Sequence, residues 1–216
     1  MIENKSLRID IVSDVMCPWC IIGYKQLAQA LKEKDMPHEI HWHPFELNPD
    51  MPPEGQNMRQ HIMEKYGSTP EQSEESRKNM IDLGAELGFE FRLDKNIRMH
   101  NTFNAHQLIH WARAQAKEHE MKMALLSAHF TDTRNLSSID VLADIAEEIG
   151  LNREKALTIL ESQRYADEVR QHQMYWINKG ITVVPSIIFD GQHLMTGAQG
   201  VARYAHILES LIKEEN

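Results

Sequence analysis

The chain has 216 residues, of which 42% are apolar and 25% charged, an ordinary globular composition. Its 23 Lys and Arg residues against 32 Asp and Glu residues give a formal net charge of -9. This acidic balance, without a basic run, argues against nucleic acid or an anionic membrane surface as a partner. Residues 1–10 lack the apolar stretch of a signal peptide, and no apolar run reaches the roughly 20 residues that span a bilayer. We therefore expect a cytoplasmic protein with no membrane partner.

The first elements are predicted to be a strand, a helix and a second strand. Apolar and polar residues alternate over residues 7–14, which is typical of a strand. Pro18 suits the first position of a helix, and apolar residues then recur at helical spacing from Ile21 to Leu31. Residues 38–45 form a second extended run. The right-handed crossover rule makes the two strands parallel neighbours.

The middle of the chain is predicted to be helical. Thr69, Pro70 and Gln72 have the form of a capping box, which predicts a helix from there to about Leu87. Five further helices are predicted: one that begins near Thr102, one over residues 121–130, one that begins at Ser137 or Ser138, one that follows Asn152, and one over residues 162–179.

The last part returns to strands. Residues 181–189 and 192–196 are predicted to form a hairpin around Asp190 and Gly191, followed by a helix over 201–213. Together the two ends of the chain complete an α/β thioredoxin fold of order βαβ…ββα. We therefore predict a discontinuous thioredoxin-fold domain over 1–50 and 180–216, and a large all-helical insertion domain over 51–179.

The only two cysteines of the chain, Cys17 and Cys20, lie three residues apart. A structural disulfide across so short a loop would add little stability, so the pair is expected to react. At a helix N-terminus a thiolate on Cys17 is stabilised, which makes Cys17 the nucleophile and Cys20 the resolving thiol. Pro18 stiffens the helix start. Trp19 is uncharged, so it stabilises the thiolate less than a charged histidine would.

Val184 and Pro185 precede the third predicted strand of the sheet. In this fold the corresponding loop often holds a cis proline beside the dithiol, and a cis bond would free the Val184 backbone to pair with a peptide. The alternative is an ordinary trans proline that opens an edge strand. We predict the cis form.

Residues 13–20, Ser-Asp-Val-Met-Cys-Pro-Trp-Cys, resemble the active-site entry of the DsbA family, and more narrowly of its FrnE-like cytoplasmic branch. Residues 45–49, 101–106 and 197–199 agree with this resemblance in the same order. The resemblance implies a redox-active pair of Cys17 and Cys20 and a cis Pro185. It also implies that three side chains line a cleft between the insertion and the dithiol: Asn101, Asn104 and His106.

Relatives of this family include 2-hydroxychromene-2-carboxylate isomerase and the kappa-class glutathione transferase, which use a serine where this chain has Cys17. Retention of both cysteines favours a protein-disulfide oxidoreductase that acts on protein, peptide or small thiols and disulfides. No cofactor is expected, and glutathione is a candidate co-substrate. Two alternatives stay open, namely a glutathione-dependent isomerase or transferase of the same fold and a non-catalytic peptide-binding module. A homodimer is a further expectation.

A zinc site is the competing interpretation of two cysteines at this spacing. Structural zinc takes four ligands, and the chain has no second cysteine pair. His41 with His43, or His106 with His110, would complete a site, but twelve histidines produce such pairs by chance. We therefore expect no metal, and we interpret His106 as a helix-surface histidine or a buried histidine with satisfied hydrogen bonds, rather than as a catalytic base.

Overall fold

The computed structural model describes residues 6–214, in which helices surround a four-stranded mixed sheet. The elements in chain order are β1 (Leu7–Ser13), α1 (Pro18–Glu33), β2 (His38–Pro44), β3 (Gln56–Asn57), α2 (Met58–Tyr66), α3 (Pro70–Glu86), β4 (Arg98–Met99), α4 (Phe103–Arg113), α5 (Glu118–Phe130), α6 (Ile139–Glu148), α7 (Arg153–Glu161), α8 (Ala166–Asn178), β5 (Ser186–Phe189), β6 (His193–Thr196) and α9 (Val201–Glu214).

The sheet has the strand order β2-β1-β5-β6. β1 pairs with β2 in parallel, in a register that runs from Leu7 opposite His38 to Ser13 opposite Pro44. β5 is antiparallel to both β1 and β6. This topology, with α1 joining the parallel strands and α9 following the hairpin, confirms the predicted thioredoxin fold. β1 is an inner strand, and six of its seven residues are buried.

One buried carboxylate interrupts the apolar face of β1. Asp10 accepts two hydrogen bonds from the Arg8 guanidinium, at 2.9 and 2.8 Å, and lies 2.7 Å from Nε2 of His43 on β2. Burial would raise the pKa of Asp10, but the hydrogen bonds from Arg8 and His43 outweigh it and hold the pKa well below its usual range. The charge of Asp10 is therefore tolerated inside the sheet because Arg8 and His43 both hydrogen-bond to it.

The segment between β2 and β5 is not all-helical, which corrects the prediction. β3 and β4 form an antiparallel pair, with Gln56 opposite Met99. Gly55 enters this pair at φ +66, and a Cβ there would lie 2.2 Å from the Met99 carbonyl oxygen. Only glycine fits so close a backbone approach. The Arg98 guanidinium closes the turn by donating to the carbonyls of Glu54 and Gly55.

Most predicted helix starts are confirmed. Thr69 forms the capping box with Gln72, and the side chains of Ser138 and Asn152 cap α6 and α7. Three predicted bounds are wrong. The helix predicted over 121–130 already begins at Glu118. The helix predicted over 162–179 begins only at Ala166, and the strand predicted over 181–189 is shortened to Ser186–Phe189 because the preceding residues form a loop.

The sheet and the helices share one apolar core. Ile9, Ile11 and Trp42 of the sheet belong to the same buried cluster as Leu125 of α5 and Leu142 of α6. The division into domains over 1–50 with 180–216 and over 51–179 therefore stays a prediction. Residues 51–179 are called the helical segment below. No helix within residues 6–214 has the length and apolarity to cross a bilayer.

The helical segment contains a buried histidine without a hydrogen bond. His129 on α5 is 1% exposed, and within residues 6–214 neither ring nitrogen finds a partner. Its ring packs against Phe130, with centroids 4.5 Å apart, and against His100, with centroids 6.0 Å apart. Burial, reinforced by the neighbouring His100, lowers the pKa of His129 to about 3. His129 is therefore neutral in the folded protein over most of the pH range.

We predict that His129 makes the protein acid-sensitive. Below the ordinary histidine pKa of 6.5 the unfolded chain binds a proton that the folded protein refuses down to about pH 3. Stability is therefore full above pH 6.5 and is lost as pH falls, by up to about 1.4 kcal/mol per pH unit. His129→Leu lacks this pH-dependent loss. The difference in the free energy of unfolding between variant and wild type should therefore change between pH 6.5 and about pH 3, as measured by urea unfolding at several pH values.

The exposed residue His206 on α9 provides the matched control. His206→Leu should leave the pH dependence of the free energy of unfolding unchanged. A His129→Leu curve that runs parallel to the wild-type curve between pH 6.5 and 4 would contradict the prediction.

Candidate active site

Cys17 lies at the junction of β1 and α1, where the sequence predicted it. It is the N-cap residue of α1, with φ -99 and ψ 110, and Pro18 is the first helical residue. The turn before the helix closes through a hydrogen bond from the Cys17 N–H to the Asp14 carbonyl at 3.4 Å. A helix N-terminus presents unpaired backbone N–H groups and the positive end of the helix dipole, both of which favour a thiolate.

Cys20 lies one turn into α1 and is completely buried. Both cysteines are free thiols. Burial raises the pKa of Cys20 well above its usual value, and the hydrogen bond with Cys17 raises it further. A buried, protonated second thiol directly behind an N-cap thiol suits the role of the resolving group.

The loop over residues 183–185 brings a backbone carbonyl to Cys17. The Cys17 thiol donates to the Val184 carbonyl, with sulfur and oxygen 3.8 Å apart. The Val184–Pro185 peptide bond is cis, as predicted. The Pro185 ring packs against α1 so closely that a Cβ added at Gly23 would lie 3.1 Å from its Cγ. The Pro185 carbonyl accepts the Gly197 N–H at 2.7 Å, which anchors the loop to the end of β6.

Asp14 is a buried carboxylate three residues before the nucleophile. Oδ2 accepts the Leu47 N–H at 2.7 Å, and Oδ1 accepts the Met16 N–H at 3.3 Å. Oδ1 also lies 3.5 Å from Nε2 of His106 on α4. Burial would raise the pKa of Asp14, but His106, the Leu47 N–H and the charge of Lys122 outweigh it and lower the pKa. Asp14 is thus an anion that ties the active-site turn to a loop and to the helical segment.

His106 is buried and shared between two acceptors. Its Nε2 lies 3.2 Å from the Phe45 carbonyl oxygen and 3.5 Å from Asp14 Oδ1. Because both neighbours only accept hydrogen bonds, Nε2 must carry the proton. His106 therefore acts as a donor that fixes the 45–48 loop, in agreement with its interpretation as a buried histidine with satisfied hydrogen bonds.

Lys122 is a buried lysine that acts electrostatically on Cys20. It lies on α5, is 1% exposed, and has its Nζ 5.3 Å from the centroid of the Trp42 ring. Burial lowers the pKa of Lys122, whereas Asp14, and the two cysteines when they are ionised, oppose this shift. The same attraction lowers the pKa of Cys20 against the effect of burial.

A large cavity opens on the nucleophile. Its volume is about 720 Å³, and Cys17 reaches it although the residue is only 4% exposed to bulk solvent. Pro18 and Trp19 also line this cavity, and Trp19 is 38% exposed. The other lining residues are Met16, Leu47, Asn48, Met58, Arg59, His61, Ile62, Tyr66, Ser68, Gln72, Ser73, Glu74, Ser76, Arg77, Met80, Leu93, Asp94, Lys95, Ile97 and Met99. This volume is called the Cys17 cavity below.

Three predicted substrate-binding side chains lie outside the lining of the Cys17 cavity. Asn101 donates to the Pro49 carbonyl and accepts the Phe103 N–H. The Asn104 amide oxygen accepts from the side chains of Gln107 and Gln163. With His106, these residues hold loops and helix ends in place, and a contact of theirs with substrate stays a prediction.

The histidines of the competing zinc interpretation are engaged elsewhere. His43 bonds Asp10, and the His110 ring packs against Tyr165 and His172, with centroids 4.9 and 5.5 Å apart. Among residues 6–214 no group of three or more His, Cys, Asp or Glu side chains is arranged to hold a metal ion.

Lys122 and the Cys17 cavity were missed by sequence reasoning. The signal for Lys122 was its place in a helix whose residues are almost all buried or half-buried, in register with Glu118 and Leu125 at helical spacing. A lysine there is either paired or functional, since lysine is almost never fully buried otherwise. The cavity has no comparable signal, because its walls come from segments distant in the sequence.

Comparisons with known proteins agree with this geometry. The family described as DSBA-like thioredoxin domain matches residues 8–209. The uncharacterized protein YwbO of Bacillus subtilis is 30% identical over 212 residues, which are 97% of this chain and 98% of that protein. The crystal structure of the probable DsbA oxidoreductase SCO1869 from Streptomyces coelicolor superimposes with a TM-score of 0.90 at 28% identity, covering 96% of this chain and 91% of that one.

A more distant structure shares the fold. Selenomethionine 2-hydroxychromene-2-carboxylate isomerase superimposes with a TM-score of 0.71 at 11% identity, covering 96% of this chain and 97% of that one. At that identity the likeness concerns the fold alone.

We predict that Asp14 supports the site as a whole. Asp14→Ala leaves the buried Met16 N–H and the partly buried Leu47 N–H without their acceptor and removes the anion beside Lys122 and His106. The free energy of unfolding should fall by about 2–4 kcal/mol, measured by urea denaturation. Asp82→Ala on the exposed side of α3 is the control and should change it by no more than about 0.5 kcal/mol. Equal effects of the two variants would disprove the role of Asp14.

Proposed function

The chain belongs to the DSBA-like thioredoxin domain family, and from this premise we propose that it is a thiol–disulfide oxidoreductase working through Cys17 and Cys20. One observation carries the proposal. A free thiol at a helix N-cap faces a cavity, and a second free thiol lies buried one turn behind it. This arrangement supplies both an attacking and a resolving group, which disulfide exchange requires.

The proposed reaction has two exchange steps. The Cys17 thiolate attacks one sulfur of a substrate disulfide, the substrate S–S bond breaks, and one substrate sulfur leaves as a thiol. Cys20 then gives up its proton and attacks the Cys17 sulfur, which releases the second substrate thiol and forms the Cys17–Cys20 disulfide. Two electrons pass from the dithiol to the substrate, and the reverse sequence oxidises a substrate dithiol.

Lys122 is proposed to assist the second step. Cys20 must become a thiolate although burial disfavours its charge. Lys122 is a buried cation whose attraction lowers the pKa of Cys20, and Asp14 supplies an anion beside that cation. The low dielectric of the interior strengthens this attraction, which opposes the effect of burial on the Cys20 thiol. Lys122 is a positioning residue in this scheme, because it acts through Cys20.

The substrates and the cellular location are proposals drawn from the sequence. The Val184 backbone lies beside Cys17 and suits contact with a thiol-bearing peptide. Glutathione is proposed as a small-thiol partner. The FrnE-like branch and a cytoplasmic location also belong to this proposal.

A redox titration in glutathione buffers tests the function. Tryptophan fluorescence and thiol tagging followed by mass spectrometry would monitor the protein together, and a single reversible two-electron midpoint is expected. A midpoint near about -270 mV would indicate a reductase, and one near about -120 mV an oxidant. Thiols that remain free in every buffer would refute the proposal and favour the glutathione-dependent isomerase.

We predict different failures for the two cysteine variants. Cys17→Ser should abolish insulin reduction because no attacking thiol remains, whereas Cys20→Ser should accumulate mixed disulfides that intact-mass spectrometry detects. Full activity of Cys17→Ser would exclude the mechanism. Glutathione-dependent turnover that survives in Cys20→Ser would instead support the isomerase or transferase.

We predict that Lys122→Met slows resolution more than attack. Without the cation the pKa of Cys20 rises further, so release of the second thiol at pH 7 should slow by about tenfold. Its pH profile should also move to higher pH. Stopped-flow measurement of the two thiol-release phases separates the steps. The control is Lys155→Met on the exposed face of α7. An unshifted pH profile for resolution in Lys122→Met would rule out this role.

A further inference from the structure

The Cys17 cavity has the size of a small-molecule site. Its volume of about 720 Å³ falls within the range of about 300–1,000 Å³ that is usual for ligand pockets. Its walls come from the start of α1, from Leu47 and Asn48, from α2 and α3, and from residues 93–99. The ligand would therefore be surrounded by several segments of the chain rather than lie along one edge.

The backbone around the cavity leaves little for an extended peptide to pair with. The Met58 N–H already donates to the Ile97 carbonyl at 2.9 Å. The Leu93 carbonyl accepts from Arg77, and both backbone groups of Leu47 are engaged by Asp14 and Lys65. Strand addition needs unpaired main-chain groups. Val184, whose carbonyl accepts the hydrogen bond of the Cys17 thiol, is not among the residues that line the cavity.

The wall chemistry is apolar and adaptable. Methionine and aliphatic side chains make up much of the surface: Met16, Met58, Met80, Met99, Leu47, Ile62, Leu93 and Ile97. Methionine is unbranched and polarizable, so such walls adapt to apolar and aromatic bodies. The hydroxyl of Ser68 is buried at this wall and has no hydrogen-bond partner within residues 6–214. A buried hydroxyl without a partner is costly, which points to a polar atom of a ligand.

The charges on the cavity favour an anion, in contrast to the acidic chain as a whole. Three cationic side chains line it against two carboxylates, and one of these cations, Arg77, is already paired with Glu74. The half-buried Arg59 forms no ion pair within the described part of the chain, and its guanidinium donates to the Pro70 carbonyl at 3.1 Å. Arg59 therefore has donors left for a carboxylate.

We propose that the Cys17 cavity binds a low-molecular-weight disulfide, or its thiol, that has an apolar body and a carboxylate. This inference rests on the proposed oxidoreductase function and names its substrate class. The apolar body packs between α2, α3 and residues 93–99, the carboxylate meets Arg59, and the disulfide meets Cys17. Protein disulfides would approach Cys17 from the side of Val184.

The reaction on such a substrate needs no further reductant in a single turnover. The reduced dithiol attacks the disulfide R–S–S–R at Cys17 and releases one R–SH. Attack of Cys20 on the Cys17 sulfur then releases the second R–SH. The Cys17 and Cys20 thiols supply the two protons and two electrons, and the protein ends as the Cys17–Cys20 disulfide.

The first test compares aryl and protein disulfides. Reduced protein is mixed with dithiobis(nitrobenzoate), an anionic aryl disulfide, or with the neutral dithiodipyridine, and insulin reduction is measured separately. Saturation of the single-turnover rate with dithiobis(nitrobenzoate) concentration is expected. Ile62→Trp fills the cavity, so it should lower kcat/KM for the aryl disulfides at least about tenfold more than it lowers insulin reduction. Leu194→Trp, at an exposed site on β6, is the control.

A second variant tests the anion. Arg59→Gln should lower the preference for dithiobis(nitrobenzoate) over dithiodipyridine by about threefold, as expected for a partly exposed charge pair. Arg203→Gln, on the exposed face of α9, is the matched control and should leave this preference unchanged.

A binding measurement in a variant that cannot react tests the proposal even if Ile62→Trp does not fold. The Cys17→Ser, Cys20→Ser double variant should bind nitrothiobenzoate saturably, as measured by tryptophan fluorescence, and adding Arg59→Gln should weaken that binding. Absence of saturable binding, or equal losses of aryl and insulin activity in Ile62→Trp, would overturn the inference. Insulin reduction that still depends on Cys17 would then leave the oxidoreductase standing, whereas a wild-type protein that exchanges with neither substrate would refute the proposed function itself.

Discussion

The buried carboxylate of Asp14 is the interaction on which the site depends. It lies between the end of β1 and the N-cap of α1, where the chain must turn within three residues. By accepting the Leu47 and Met16 N–H groups it fixes both the active-site turn and the loop that forms part of the cavity wall. Through His106 it also connects this turn to α4. Cys17 is thus positioned with the help of the Asp14 carboxylate. The apolar core could not replace the hydrogen bonds that would be lost with this carboxylate.

A buried anion requires a nearby cation, and here that requirement has a chemical consequence. Lys122 is held in the interior by its attraction to Asp14 and the dithiol and by the face of the Trp42 ring. Because the lysine comes from α5, the helical segment provides an electrostatic partner of Asp14 as well as most of the wall of the cavity. The two parts of the fold therefore depend on each other for chemistry, in addition to sharing a core.

The sequence was informative wherever one local pattern determines the outcome. Thr69, Ser138 and Asn152 predict helix starts because a cap is satisfied within three residues. The thioredoxin topology followed from the order of strand and helix patterns together with the family resemblance. The pair β3–β4 was missed because two-residue strands are too short to show alternation, and the bond between them forms across 40 residues of chain. The Cys17 cavity and the environment of Lys122 were missed for the same reason, since long-range packing creates both.

Cys17 has two different environments, and this difference suggests how the fold separates substrates. On one side the Val184 carbonyl offers main-chain hydrogen bonding of the kind that an extended peptide uses. On the other side lies a cavity whose main-chain groups are largely satisfied and whose side chains are apolar, with Arg59 available to an anion. Since the helical segment supplies most of the second environment, substitutions at its cavity-lining residues would alter small-molecule specificity while leaving the contacts of Asp14, His106 and Lys122 near the dithiol intact.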